Sequence, residues 1–467
     1  MTKLPPKPVS RSQNVSLWRY MRLFRKDILS AQPAKLYRAW MAEFRTPFFH
    51  SYLVNDPAVI KQVLIQNPDA FPKSERIGAG LRPLLGNSVF LTNGENWKRQ
   101  RRIIDPAFAG GRLRDTYPGI KDAADAGVAR LSAKADGRPQ EIEAITSHIA
   151  ADVIFRTLFS IPIEDDAAQE VFEAFRAYQR TQPILNLAAF ISGPAWMPRF
   201  FRSQTRATAR QIRKLITRLT QERLDLIATG HAPDDLATKI LTTKDPVTGQ
   251  TFTLEEMVDQ VAIFFLAGHE TSASVIAWAL YLLALNPEWQ DALAQEASSF
   301  GGAVQDLSDL KQTRDVFRET LRLYPAVPMM VREAAHPATF RDRHLRKGAQ
   351  VVLSPWHLHR HARLWDNPDA FDPGRWETAN GKACARDAYL PFSAGPRICP
   401  GAGFALIEGA VVLARLLKAF EFKTVDGKEP VPVAHLTVRS KDGIWLRIGE
   451  RQAYSVSNLA TEGASRD

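Results

Sequence analysis

The sequence of 467 residues predicts a mainly α-helical protein with a small β-sheet region, folded as a single large domain. Three observations support this prediction. A helical pattern dominates the middle of the chain, strand-like segments cluster near its two ends, and no long low-complexity linker or 20–50-residue repeat interrupts it. Because strands from both ends are expected to pair in one small sheet, the chain is predicted to close on itself as one domain.

The strand-like segments are short and apolar, and turn residues lie beside each of them. They comprise residues 48–54, 350–353 and 444–448. An Asn, Asp, Gly or Pro residue lies within two positions of each segment, which favours a chain reversal there. These segments are predicted to form the sheet.

The two ends of the chain are predicted to differ from the domain between them. Residues 1–30 are expected to form a partly flexible extension, residues 31–450 the domain, and residues 451–467 a disordered tail. Residues 17–26 are basic and amphipathic at helical spacing. This pattern favours a first helix packed on its own domain. The alternative is a helix that lies on a membrane surface.

Charge and cysteine content limit the possible partners and the compartment. The net charge of +11 is compatible with nucleic acid, an acidic protein or a membrane surface, but no nucleic-acid motif accompanies it. The only cysteines, Cys384 and Cys399, are too few for a disulfide framework. The first residues are polar and proline-rich, unlike a signal peptide. We therefore expect a cytoplasmic, monomeric protein without nucleic-acid partners or a transmembrane segment.

One long helix is predicted in the middle of the chain. Thr253 and Glu256 form a capping box, and an apolar pattern runs from there to Leu285. The polar stretch Gly268–Thr271 interrupts this pattern, which indicates a functional site. It also breaks a transmembrane run, and Ala273 replaces the second histidine of a metalloprotease motif.

Cys399 is the most informative residue of the sequence. It follows Arg397 and precedes Gly401, directly before an apolar helical stretch. A helix N-terminus favours a negative sulfur, and Arg397 is placed to reach an anion. This arrangement suits a cysteine ligand of a metal centre, and heme iron bound from one face meets all of its features.

A second pair of residues indicates a structural network. Glu319 and Arg322 lie three residues apart and hence on one helix face. Such a pair usually lies on a surface, but its apolar neighbours favour burial, which requires further hydrogen bonds. Arg375 is predicted to supply a third member of the network.

In this order the motifs resemble those of the cytochromes P450, the heme-thiolate monooxygenases, of the soluble bacterial type. The resemblance spans about Leu53 to Ile448 and rests on four motifs. These are Trp97 and Arg101 with Arg102, Pro106 and Phe108; Ala267, Gly268, Glu270 and Thr271; Glu319, Arg322 and Arg375; and Phe392, Gly395, Arg397, Cys399 and Gly401. The cysteine motif is highly specific, whereas Glu-x-x-Arg alone is weak.

The resemblance implies a role for each matching residue. Heme b would be bound by Trp97, Arg101, Arg332, Phe392, Arg397, Cys399 and Gly401, with Cys399 as the iron ligand and the arginines pairing with the propionates. Gly268 would leave room for dioxygen, the Thr271 hydroxyl would hydrogen-bond it, and Glu270 would help to deliver protons. His269 is expected to be structural. His357, His359 and His361 are expected in a strand-to-helix turn near the heme edge, with a metal tract as the alternative.

The resemblance also implies an activity and its partners. The substrate-contacting positions are apolar and predict a hydrophobic small molecule; they are the segment around residues 181–185, Phe90, Phe264, Ala267, Val327, Met329 and Leu436. The sequence contains no dinucleotide-binding unit, so electrons would come from a separate protein, a ferredoxin with its reductase. The activity would be insertion of one oxygen atom from O2. A peroxide-driven enzyme and a non-catalytic heme sensor are the alternatives.

Overall fold

A computed structural model describes residues 4–45, 50–181, 203–434 and 436–451. The described part contains fifteen α-helices, joined by short 3₁₀ and π-helical turns. They are α1 Leu17–Lys26, α2 Pro57–Lys61, α3 Glu75–Leu85, α4 Gly94–Ile104, α5 Arg112–Ser132, α6 Ile142–Phe159, α7 Asp166–Thr181, α8 Ser203–Ala228, α9 Leu236–Thr242, α10 Leu254–Leu285, α11 Pro287–Ser299, α12 Lys311–Leu323, α13 Pro355–Leu358, α14 Ala379–Asp387 and α15 Ala402–Ala419.

The strands of the described part are few and short. They are β1 Met41–Arg45, β2 His50–Val54, β3 Asp136–Glu141, β4 Met330–Glu333, β5 Ala338–Phe340, β6 Arg343–Leu345, β7 Gln350–Leu353, β8 Phe420–Thr424, β9 Pro432–Ala434, β10 Val438–Ser440 and β11 Trp445–Glu450. The prediction of a mainly helical fold with a small β-sheet region is confirmed.

Helix α10 forms the centre of the fold and packs against α6, α8, α12 and α15. It begins where the sequence predicts, because the Thr253 backbone N–H donates to the Glu256 carboxylate at 2.9 Å and the Glu256 N–H donates to the Thr253 hydroxyl at 3.3 Å. It ends at Leu285, two residues before Pro287. Among the described helices, α10 alone is long and apolar enough to cross a membrane, and most of it is buried inside the protein.

The prediction of one sheet built from both ends of the chain is wrong. Strand β2 does pair with β7, in parallel, within a four-stranded sheet of order β1-β2-β7-β4. Strand β11, however, pairs with β3 and β8 in a separate three-stranded sheet. Alternation of apolar residues shows that a segment is a strand but does not specify its partner, so the sequence pattern did not separate the two sheets.

The described N-terminal residues contact the body of the fold. The Tyr324 hydroxyl donates to the Pro6 carbonyl at 2.8 Å, and the Ala434 N–H donates to the Asp27 carboxylate at 2.7 Å. Ile28 and Leu29 belong to the hydrophobic core. The predicted tail lies outside the described residues beyond Arg451, and the division into extension, domain and tail stays a prediction.

The Glu319 carboxylate lies at the centre of a buried ion-pair network. The Arg322 guanidinium donates to it at 2.8 and 2.9 Å, and Arg375 Nε donates to it at 3.0 Å. Glu319 and Arg322 are fully buried. Arg322 also donates to the carbonyls of His359, Pro368 and Ala370. The network therefore fixes the segment that runs from α13 towards the Cys399 loop.

Candidate active site

An apolar cavity of about 720 Å³ extends from Cys399 to helix α1. Its walls come from α3, α6, α10, β4, β7 and the loop before α15. The six positions that the sequence assigned to substrate contact all line it: Phe90, Phe264, Ala267, Val327, Met329 and Leu436. Residues 182–185 of the remaining predicted segment lie outside the described residues.

The loop that carries Cys399 is held by its own backbone. The Cys399 N–H donates to the Phe392 carbonyl at 2.9 Å, and the Ile398 N–H donates to the Gly395 carbonyl at 3.0 Å. Gly395 has a φ of 68°, and a Cβ there would lie 2.1 Å from the Leu64 carbonyl oxygen. Only glycine satisfies both conditions, so this residue sets the position of the loop against the Leu64 segment.

The Cys399 side chain borders the cavity. It is open on the cavity side but lies deep in the protein, so burial raises the pKa of its thiol above the usual value. The Gly401 backbone N–H and the Arg101 charge lower this pKa, but by less than burial raises it. Gly401 is the N-cap of α15, so the start of this helix supplies part of the stabilisation that a thiolate needs. A metal cation bound to the sulfur would supply the missing stabilisation.

Four cations surround one wall of the cavity, next to Trp97. The distances to the centre of the Trp97 ring are 4.7 Å for Arg397, 5.8 Å for Lys73 and 5.9 Å for Arg101. Arg332, the fourth, is 7% exposed. Burial and the three arginines lower the pKa of Lys73 to about 6, and burial and Arg397 lower the pKa of Arg332 to about 10. Asp105 pairs with Arg101 at 2.6 Å, and a pKa of about 6 leaves Lys73 largely neutral at pH 7. The positive charge that lacks a close carboxylate at this wall is therefore that of Arg332 and Arg397.

This cation cluster fits an anionic group. The Nε atoms of Arg332 and Arg397 are buried without a hydrogen-bond partner among the described residues. The nearest carboxylate to Arg397, that of Asp69, lies 4.0 Å away. Two carboxylates in the cavity would satisfy these donors, and heme carries two propionates. The cysteine beside the cavity and the cations at its wall therefore both suit heme.

The sequence did not indicate Lys73 as part of this cluster. A single lysine between Pro72 and Ser74 carries no motif and is usually a solvated surface charge. Its position follows from tertiary contacts, since its ammonium donates to the carbonyls of Val89 and Thr92 at 2.5 and 3.2 Å.

The polar stretch of α10 is divided between two environments. Gly268 and Thr271 line the cavity together with Ala267, and the Thr271 hydroxyl donates to the Ala267 carbonyl. A Cβ at Gly268 would lie 2.4 Å from Ile154 Cδ1. A side chain at this position would therefore displace the end of the Ile154 side chain, which also lines the cavity.

Glu270 faces away from the cavity. Its carboxylate accepts from the Thr437 hydroxyl at 2.5 Å and from Gln179 Nε2 at 3.1 Å, and it lies 3.2 Å from Arg439. It is not among the residues that line the cavity. The structure brings Thr271 to the cavity but places Glu270 in a separate polar network behind it.

The histidines of the predicted motifs all have partners within the protein. His269 bonds the Ser147 hydroxyl at 2.6 Å, and burial lowers its pKa to about 3, so it is neutral. His357 bonds the Ser354 hydroxyl at 2.7 Å, His359 accepts from the Leu390 N–H at 2.8 Å, and His361 stacks on Trp40. The last three lie at a strand-to-helix turn, as expected, but they do not line the cavity.

The sequence also missed Glu408 on α15. Its side chain is fully buried and accepts from the Ser272 hydroxyl at 2.5 Å, while its second oxygen has no partner among the described residues. Both residues line the cavity. Burial raises the pKa of Glu408 to about 8. The available signal in the sequence was a single acid among the otherwise uncharged residues 402–414.

Glu408→Gln is expected to become more stable relative to the natural protein as the pH rises from about 5 to 8. The folded pKa of Glu408 is about 8 and the reference value is 4.5. Between these values the unfolded chain releases a proton that the folded protein keeps, so folding stability falls with rising pH, by at most about 1.4 kcal/mol per pH unit. Glutamine does not titrate and escapes this loss. Melting temperatures at pH 5, 6.5 and 8 test it, and a pH-independent difference between the two proteins would contradict it.

Comparison with known proteins identifies a family for this chain. The sequence model of the family described as Cytochrome P450 matches residues 32–446. Cyclooctat-9-en-7-ol 5-monooxygenase of Streptomyces melanosporofaciens is 31% identical over 422 residues, which cover 88% of this chain and 87% of that protein. Human cytochrome P450 4A11 is 32% identical over 419 residues, covering 84% and 78%. Cytokinin hydroxylase of Arabidopsis thaliana is 28% identical over 402 residues, covering 84% and 77%.

The fold agrees with a solved structure. The crystal structure of a mutant cytochrome P450DA heme domain superposes with a TM-score of 0.79, covering 97% of this chain and 99% of that one. At 24% sequence identity, this likeness shows the fold.

Proposed function

We propose that this chain, which belongs to the cytochrome P450 family, inserts one oxygen atom from O2 into a C–H bond of a hydrophobic small molecule. Family membership makes the protein an oxidoreductase with a heme cofactor. The proposal is supported above all by the juxtaposition of Cys399 and Thr271 in one apolar cavity.

The residues of the cavity are suited to hold heme in one orientation. Cys399 would ligate the iron, and the cation cluster of Lys73, Arg101, Arg332 and Arg397 would bind the propionates. A heme bound through a thiolate supplies the activation of dioxygen. Phe392 and Gly401 line the cavity together with Cys399. There they would exclude water and leave room for the flat ring.

Thr271 is the best-placed proton donor of the described cavity residues. Its hydroxyl now donates to the Ala267 carbonyl and can rotate to donate into the cavity instead. Glu270 lies one residue away, in contact with Thr437 and Arg439. We propose that Glu270 helps to deliver protons towards Thr271. Delivery requires its carboxylate to move away from Thr437 and Arg439, because these contacts do not reach the Thr271 hydroxyl.

Thr271→Ala is expected to oxidise the electron donor without forming product efficiently. Loss of the hydroxyl removes the positioned donor, so the yield of product per NADH should fall by ~10-fold or more. Thr271→Ser keeps a hydroxyl and serves as the matched control. Parallel assays of NADH consumption and product measure the ratio. An unchanged ratio in Thr271→Ala would exclude this role.

The cavity supports a hydrophobic substrate. Heme would occupy part of its volume of about 720 Å³, which leaves the remainder for a small molecule, and its walls are apolar apart from a few groups. The names of two relatives give cyclooctat-9-en-7-ol and a cytokinin as compounds that those proteins act on. These two compounds are the first members of a panel, scored by the low-to-high-spin shift that follows displacement of water from the iron.

The electron donor is proposed to be a ferredoxin with its reductase. The net charge of +11 favours an acidic donor, since oppositely charged faces attract on encounter. Cytoplasmic location and a monomeric state are part of the same proposal.

Isotope-labelled dioxygen provides the decisive test. With NADH, ferredoxin and reductase, a panel compound that shifts the spin state should yield a product with one labelled oxygen atom. Labelled product from hydrogen peroxide, with none from dioxygen, would instead show the peroxide-driven alternative. Heme binding without product from either source, across every compound that shifts the spin state, would favour the sensor.

A further inference from the structure

We propose that helix α1 docks the protein on the surface of an anionic lipid bilayer through an outward basic face. This face is defined by five side chains that are all exposed: Trp18, Arg19, Arg22, Arg25 and Lys26. Trp18 is 83% exposed. At helical spacing it lies beside Arg22 and Arg25, which stand four and seven residues further along.

The opposite side of α1 holds the helix on the protein. Tyr20, Met21, Leu23 and Phe24 are only partly exposed. The Tyr20 ring stacks on Phe44 of β1, with 6.5 Å between ring centres, and Phe24 packs against the core. The apolar side of α1 thus packs on the domain, as the sequence pattern predicted. The basic face points outward, so it can meet a bilayer while the helix stays packed on the domain.

The charge of this face is uncompensated. Helix α1 contains no acidic residue, and none of its four cations has an ion-pair partner within the described ranges. Residues 4–45 contain nine Lys and Arg against two acids. Both acids are engaged elsewhere: Asp27 accepts from the Ala434 N–H, and Glu43 pairs with Arg45. A substantial part of the net charge of +11 is therefore concentrated at this end of the chain.

An exposed indole among cations favours a bilayer over an acidic protein or a nucleic acid. Tryptophan partitions to the boundary between lipid headgroups and acyl chains, where its ring is shielded and its N–H stays hydrated. Lysine and arginine beside it contribute attraction to anionic headgroups, additively for each charge near the surface. An aqueous acidic partner would use the cations but would give Trp18 no such environment.

Docking through α1 would bring the bilayer close to one end of the cavity. Leu17, Tyr20, Met21 and Phe24 line that end. A lipid-soluble substrate would then reach the cavity from the membrane without crossing water. This consequence rests on the proposed function, whereas the docking itself does not.

Vesicle flotation with the full-length holoprotein tests the proposal. We expect binding to vesicles of equal parts phosphatidylcholine and phosphatidylglycerol at low salt, weakening as salt rises, and none to phosphatidylcholine alone. The double variant Arg22→Glu/Lys26→Glu should weaken binding by ~10-fold or more. Trp18→Ala should weaken it with no change in charge.

The double variant Lys134→Glu/Lys418→Glu is the matched control, because it makes the same charge change at exposed positions. These positions flank β3 and β8 of the three-stranded sheet, whereas α1 packs on β1 of the four-stranded sheet. It should bind nearly as well as the natural protein. Equal losses in the two double variants, together with full binding by Trp18→Ala, would show a non-specific effect of net charge and overturn the proposal. Absence of binding to the anionic vesicles would do the same. Flotation requires no turnover, so failure of the proposed activity would leave this result unaffected.

Discussion

Cys399→Ala is expected to lose the strongly red-shifted Soret band that reduced heme-thiolate protein shows with carbon monoxide, and with it oxygen insertion. Cys399 is the one cysteine that borders the cavity. Removing a residue that only hydrogen-bonds a metal ligand typically lowers activity by ~10–100-fold. Turnover should fall by more than this in Cys399→Ala, because the ligand itself is removed. The Cys399 side chain holds no other described element in place, so the protein should still fold.

Cys384→Ala is the matched control for this experiment. The Cys384 thiol is 5% exposed, lies 3.2 Å from the Leu364 carbonyl, and has a pKa that burial raises to about 11. Cys384 does not line the cavity, so it has no access to a heme bound there. The control should keep the red-shifted band. A Cys399→Ala protein that kept it as well would refute the assignment of Cys399 as the iron ligand.

Local signals in the sequence predicted both ends of helix α10 and the polar stretch within it. The capping box at Thr253 and the proline after Leu285 determine the ends of α10 through bonds within a few residues. Gly268–Thr271 interrupts an apolar helix, and this costs stability wherever the helix is buried. Such features were predictable because the contacts that produce them are close in sequence.

Features that depend on distant contacts could not be predicted in the same way. The pattern showed that Glu270 and Thr271 break the apolar run, but only the packing of α10 determines that Thr271 faces the cavity and Glu270 faces Thr437. Lys73 and Glu408 resemble ordinary surface charges in sequence until other elements bury them. Strand β11 likewise gave no indication that its partners are β3 and β8.

Arg322→Ala is expected to destabilise the fold severely. It removes a fully buried cation and leaves the Glu319 carboxylate with Arg375 and the Asp372 N–H as its remaining partners. Breaking one side of a buried pair typically costs about 3–5 kcal/mol. The whole unfolding free energy of a domain is about 5–15 kcal/mol, so this variant should lose a large part of its stability. The denaturation midpoint of the purified protein, and the fraction that retains heme, measure the effect.

Arg176→Ala provides a control with the same local motif. Glu173 and Arg176 also form a Glu-x-x-Arg pair on one helix, with a distance of 3.1 Å, but their side chains are 64% and 37% exposed. A surface pair of this kind contributes at most ~1 kcal/mol, because water solvates the separated charges. The two variants therefore differ in burial and in the carbonyls that Arg322 alone binds, not in spacing. Equal shifts of the denaturation midpoint would show that the Arg322 network does not hold the segment before Cys399 in place. A large shift confined to Arg322→Ala would show that it does, since that loss would arise from the Glu319 carboxylate and the three carbonyls that lose Arg322 as a donor.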